Sequence, residues 1–158
     1  GLAGRVELRV HALPPHDGFT PRHRAALDRL AGMGCVTLRE GRLDDAGYRD
    51  FVAAADAVLL PYDPRHYNGR GTGILCDALA AGRAVVARAG ATMAEHAEEG
   101  VVLLYRTPAE FVARVAGLAA SRAEVSARAM QAAPRFIGRR NPLAVVASLR
   151  DRLAFAAG

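Results

Sequence analysis

The chain has 158 residues, 51% of them hydrophobic and 23% charged, enough apolar material for one compact core and too much for a disordered segment. Net charge is +5, yet all 21 basic residues are Arg, scattered so that only Arg139 and Arg140 are adjacent; no basic run interleaves with aromatics, and nucleic acid is not an expected partner. No apolar stretch of membrane-spanning length runs without a charge and no charged-then-apolar leader opens the chain, so neither a transmembrane segment nor a signal peptide is expected, while peripheral membrane contact stays open. The absence of Lys, the two Ile and the abundance of Ala fit a GC-rich bacterial genome better than a selected basic face. The opening Gly1-Leu2-Ala3-Gly4, without an initiator Met, is expected of a piece trimmed from a longer chain.

In chain order, Val6-Glu7-Leu8-Arg9-Val10 reads as a strand. Thr20-Pro21 supplies an N-cap and a first-turn proline for a helix carrying Ala25, Ala26, Leu27 and Leu30, which Gly32 and Gly34 stop. Val36-Thr37-Leu38 is the next strand, and Asp44 can cap a helix bearing Tyr48, Phe51, Val52 and Ala55. Ala57 to Pro61 is continuously apolar, as expected of a parallel strand covered on both faces. Gly73 to Ala81 reads as a helix closed by Gly82, Ala84 to Ala87 as a strand closed by Gly90, and Val101 to Leu104 as a fifth strand. Thr92-Met93-Ala94-Glu95, Thr107-Pro108-Ala109-Glu110 and Ser121-Arg122-Ala123-Glu124 each fit a capping box. Asn141-Pro142 opens a last amphipathic helix over 142–157, with Leu143, Val146, Leu149 and Leu153 on one side.

Strand and helix alternating with short connections predict one α/β domain over 1–158: a single Rossmann-like, doubly wound parallel sheet with helices on both faces. Cys35 and Cys76 lie apart in apolar company and read as buried free thiols of a cytoplasmic protein. The five His form no metal-ligand pattern, and neither a metal nor a cofactor is expected. Glu95, Glu98 and Glu99 around His96 read as a solvated helix face, and His11 and His16 as loop histidines beside Pro14-Pro15.

Ligands of such sheets bind beyond the carboxyl ends of the strands. The connection Pro61 to Gly73 is the longest in the chain, and it ends in Gly69-Arg70-Gly71-Thr72-Gly73 immediately before a helix. Glycines admit close backbone approach, and the first helical N–H groups with the macrodipole attract anions. Arg70 offers a planar fork for phosphate oxygens, and Asp77, one turn further on, can accept hydrogen bonds from sugar hydroxyls. The combination suits a nucleotide diphosphate carrying a sugar. Without any Lys, a P-loop nucleotide site is excluded.

The stretch from Ala55-Asp56-Ala57-Val58-Leu59-Leu60-Pro61 through the glycine loop to Gly73-Ile74-Leu75-Cys76-Asp77-Ala78-Leu79-Ala80-Ala81-Gly82-Arg83-Ala84-Val85-Val86-Ala87 resembles the donor-binding, C-terminal half of GT-B glycosyltransferases, the family 4 type in particular. A looser similarity runs from Val6 to Arg106, and 141–157 resembles the family's closing helix. The resemblance implies that Arg70, Gly71, Thr72 and Gly73 line the pyrophosphate of the donor. Asp77 would meet the ribose hydroxyls in place of the second Glu of the family's acidic pair; Gly69 stands at the first. Gly41 and Arg42 would lie near the nucleobase, and Ala89 and Gly90 at the family's Gly-Gly turn. It further implies metal-independent transfer with retention, leaving a nucleoside diphosphate, and a chain completed by an N-terminal acceptor domain or partner subunit and nearly inactive alone. No catalytic residue is assigned. The other readings are a non-catalytic nucleotide- or partner-binding module, which Gly69 and Asp77 favour, and an unrelated α/β enzyme acting on a small phosphorylated substrate.

Overall fold

A computed structural model describes residues 6–67, 72–91 and 101–141. It is an α/β protein with parallel strands, and the chain divides into two compact units, Gly1–Arg49 and Asp50–Gly158.

In the first unit, strand β1 (Leu8–Ala12), helix α1 (Pro21–Ala31) and strand β2 (Val36–Glu40) form a strand–helix–strand unit. The strands pair in parallel, Leu8 opposite Val36 through Ala12 opposite Glu40. The first strand thus begins two residues later than the Val6–Val10 pattern predicts. Pairing decides this: the Leu8 N–H donates to the Cys35 carbonyl at 2.7 Å and the Gly41 N–H to the Ala12 carbonyl at 3.1 Å, which fixes where the ladder starts and stops. The α1 signals act as expected, since Thr20 Oγ1 accepts from the His23 N–H at 3.3 Å and Pro21 follows in the first turn. Helix α2 (Asp45–Ala53) runs across the unit boundary, and Asp44 caps it by accepting from the Gly47 N–H at 2.7 Å.

The second unit holds strand β3 (Ala57–Leu60), the single turn α3 (Pro64–Tyr67), helix α4 (Gly73–Ala80), strands β4 (Ala84–Arg88) and β5 (Val102–Tyr105), and helices α5 (Pro108–Ala120) and α6 (Arg122–Arg140). The strands lie in the order β3-β4-β5, all parallel. In register, Val58, Val85 and Val102 form one row and Leu60, Ala87 and Leu104 another on the same face. That face carries the core, packed with Leu75, Ala78 and Leu79 of α4 and Ala129, Ala132 and Phe136 of α6. Tyr105, on the alternate positions, meets Phe111 of α5 edge-to-face at 5.0 Å, and Arg114 Nε donates to the Leu104 carbonyl at 3.2 Å. Arg122 pairs with Asp56 at 2.9 Å, holding the start of α6 to the start of β3.

Several expectations are corrected. Among the described residues the hydrogen-bonded ladders are β1-β2 in the first unit and β3-β4-β5 in the second; apolar runs identify strands but carry no information about which strand lies beside which. The continuously apolar β3 is half-buried at Ala57, Val58 and Leu59, and the fully covered strand is β4, whose Ala84, Val85, Val86 and Ala87 are 0% exposed. Cys35 is exposed and Cys76 half-buried, both free thiols: the first sits in the turn between α1 and β2, the second at the margin of the core. Ser121 does not box α6, because its hydroxyl donates to the Gly117 carbonyl at 2.9 Å and so serves the end of α5, which runs almost directly into α6. The box at Thr107 does form: Thr107 Oγ1 accepts from the Glu110 N–H at 3.1 Å, and Glu110 Oε2 from the Arg106 N–H at 2.8 Å. The Thr92 box and the helix over 142–157 lie outside the described residues.

Candidate functional site

Right-handed strand–helix–strand crossovers set α4 antiparallel to β3 and β4, so its first turn lies at the carboxyl end of their sheet. The core-facing stripe Leu75, Ala78 and Leu79 is buried, and Gly73, Ile74 and Asp77 are exposed on the opposite side. Gly73 and Asp77 stand one turn apart and share that exposed side. An added Cβ at Gly73 would have no neighbour within 4 Å, and Gly73 is not among the positive-φ glycines, so neither packing nor backbone conformation requires a glycine there.

Thr72 is the N-cap residue by backbone, φ −123° and ψ 120°, but its side chain accepts nothing from the first turn of α4. Burial pushes the Tyr62 phenol up, and the nearby Thr72 hydroxyl opposes that push. The Tyr62 ring stacks on Tyr67 at 4.1 Å and 7°. This rigid aromatic pair occupies the first part of the loop, between β3 and α4.

Beside it, Asp63 is gripped by Arg65. Nε lies 3.2 and 3.1 Å from the two carboxylate oxygens, Nη2 lies 2.7 Å from Oδ2, and the Arg65 backbone N–H donates to Oδ1 at 3.0 Å. Those Arg65 bonds hold the Asp63 carboxyl well below the usual carboxylate range, with a smaller contribution from the charge of Arg88. Arg88 ends β4 and also acts on Tyr105, opposing the upward push of burial on that phenol. Pro64 comes within 3.6 Å of the position a Cβ on Gly90 would occupy, so the loops after β3 and β4 meet.

The expected site residues divide as follows. Thr72, Gly73 and Asp77 are brought together at the start of α4. Arg70 and Gly71 lie outside the described residues. Gly41 and Arg42 follow β2 in the first unit; Gly41 has φ +92° and its carbonyl accepts from His11 Nε2–H at 2.7 Å, while Arg42 is exposed. That bond makes His11 a strand residue tied to the end of β2, where a loop histidine was expected; His16 is fully exposed beside Asp17.

Tyr62, Asp63 and Arg88 were not singled out in the sequence. Tyr62 and Asp63 follow β3 directly, and the rule of the carboxyl ends reaches them as it does Arg88 after Ala87; only Arg88, an Arg interrupting an apolar strand, carries a composition signal of its own. Among the described residues no group of three His, Cys, Asp or Glu could hold a metal ion, and no helix is long and apolar enough to cross a membrane. No protein-family model matches the chain, and no curated protein matches it either.

Proposed function

We propose that the chain binds a nucleotide-diphosphate sugar and serves as the donor-binding half of a glycosyltransferase, its parallel strands belonging to one Rossmann-like sheet. The observation that carries this reading is the start of α4, a helix of a parallel-sheet unit whose N-cap side chain makes no hydrogen bond to its first turn. Its first N–H groups are left to an outside acceptor, and a diphosphate is the acceptor that such a terminus suits best. Asp77 on the same exposed side fits sugar hydroxyls, and the sequence resemblance over Ala55–Ala87 supplies the ligand class. On this reading the leaving diphosphate is stabilised by helix N–H groups and by Arg. The acceptor is bound by an N-terminal domain or partner subunit outside this chain, and the protein acts in the cytoplasm.

Calorimetry with UDP, GDP, ADP and their common sugar conjugates tests the reading. One nucleoside diphosphate should bind saturably, and Asp77→Ala should weaken it by about tenfold, the loss of one or two hydrogen bonds. Binding of none of them at millimolar concentration, both by this chain and by a longer one carrying an acceptor domain, would refute it. Retained binding by the longer protein with no transfer to any acceptor would favour the second reading, a non-catalytic nucleotide-binding module, for which Gly69 in place of an acidic residue speaks.

A further inference from the structure

We infer that Arg88 is an oxyanion-binding residue, whose guanidinium holds a phosphate or carboxylate group of the molecule that docks beyond the carboxyl end of β4. The inference rests on the nucleotide-sugar reading only for where the ligand sits, and it assigns a residue which that reading leaves out.

Position is the first argument. Arg88 is the last residue of the middle strand of its sheet, and it follows four residues that are 0% exposed. The most rigidly held backbone in the unit therefore delivers this side chain to the end of a parallel sheet where ligands bind. Ala89 and Gly90 follow it as the turn, the second at φ +85°.

Chemistry is the second. A guanidinium carries five N–H donors in a planar fork. Arg9, Arg24, Arg65 and Arg122 each meet a carboxylate at 2.7–2.9 Å, although every one of those pairs lies near the open surface. Arg88 is partly buried, and among the described residues none accepts a hydrogen bond from its guanidinium. Asp63 is near enough to feel its charge, but the Arg65 fork already occupies and neutralises that carboxylate. A partly desolvated cation whose nearby anion is already spoken for is matched by an oxyanion brought from outside.

The test uses the whole chain at a fixed ionic strength of roughly 0.15 M, so that the net positive charge does not mimic a site. The probes are inorganic pyrophosphate, glucose 1-phosphate and glucuronic acid 1-phosphate, titrated by calorimetry into the wild type and Arg88→Gln. Removing a charge-assisted bond should weaken the affected probe about tenfold to a hundredfold. A loss shared by all three assigns the phosphate. A loss of only the extra affinity that glucuronic acid 1-phosphate shows over glucose 1-phosphate assigns the carboxylate. Equal binding by wild type and variant, or no binding of any probe by the wild type, overturns the inference. Should Gln unfold the chain, Arg88→Lys keeps the charge without the fork; it should bind several-fold more weakly, and unchanged binding overturns the inference equally. The nucleotide reading fails separately: UDP, GDP and ADP would then bind no more tightly than pyrophosphate, even though Arg88→Gln weakens them all.

Discussion

Gly82 meets two demands that no other residue type satisfies. Its φ of +67° lies in the left-handed region, and a Cβ there would stand 2.5 Å from Met130 Sδ and 3.1 Å from Met130 Cα on α6. The sulfur is the far end of a flexible side chain and can move, whereas the α-carbon belongs to a packed helix. Strain alone costs about 1–2 kcal/mol for a non-glycine residue, and displacing α6 adds to it, so Gly82→Ala is expected to lower unfolding free energy by roughly 2–4 kcal/mol. Urea denaturation measures this, and a change below about 0.5 kcal/mol would mean that the turn relaxes freely. Gly73 is the opposite case: neither φ nor a neighbour requires a glycine there. As a helix stop Gly82 was legible in the sequence, because glycine ends helices for conformational reasons that are local. Its approach to Met130 was not, since 47 intervening residues separate contacts that only packing brings together.

At the scale of elements, the two capping patterns Thr107–Glu110 and Ser121–Glu124 look alike in sequence and behave differently in the fold. Thr107 Oγ1 accepts from the first turn of α5, and Thr107→Ala should cost about 1 kcal/mol. Ser121 Oγ donates backward to Gly117 and caps nothing in α6, so Ser121→Ala should stay within about 0.5 kcal/mol. Paired thermal melts check the contrast; equal losses would show that Ser121 supports α6 after all. The motif fixes residue types at a spacing, but whether the hydroxyl turns forward or backward depends on how closely the preceding helix ends. The same division holds for the strands. Ala57–Leu60 and Ala84–Ala87 both read as apolar runs, and pattern alone gave the impression that the first was the covered one. Pairing makes β4 the middle strand, and the wholly covered residues are there. For the candidate site, the start of α4 was legible because glycine, threonine and a helical pattern adjoin one another. The stacking of Tyr62 on Tyr67 beside it was not, because it depends on where a loop folds back.

For the whole molecule, buried apolar surface is distributed unevenly, and local stability should follow it. Within the described part of the first unit Leu27 is the buried hydrophobic residue, and neither β1 nor β2 contains one. The second unit holds the core cluster built around β4. Amide exchange should therefore be slowest at 84–88 and 102–105, where protection approaches the global unfolding free energy, and faster by orders of magnitude at 8–12 and 36–40. Val85→Ala removes two methyl groups from a wholly covered site, a loss of roughly 2 kcal/mol, and should accelerate exchange throughout β3, β4 and β5. Hydrogen exchange read by mass spectrometry on both proteins decides it: equal protection in β1 and β4 would refute the uneven distribution. The pattern also bears on function, because a ligand held by residues that extend from β4 would sit on the most slowly opening part of the chain. Loops at the end of a rigid strand can keep a guanidinium in place without themselves being rigid. Saturating pyrophosphate should then slow exchange in the segment after Arg88 while leaving the rates within β4, already limited by global unfolding, changed only by the gain in overall stability.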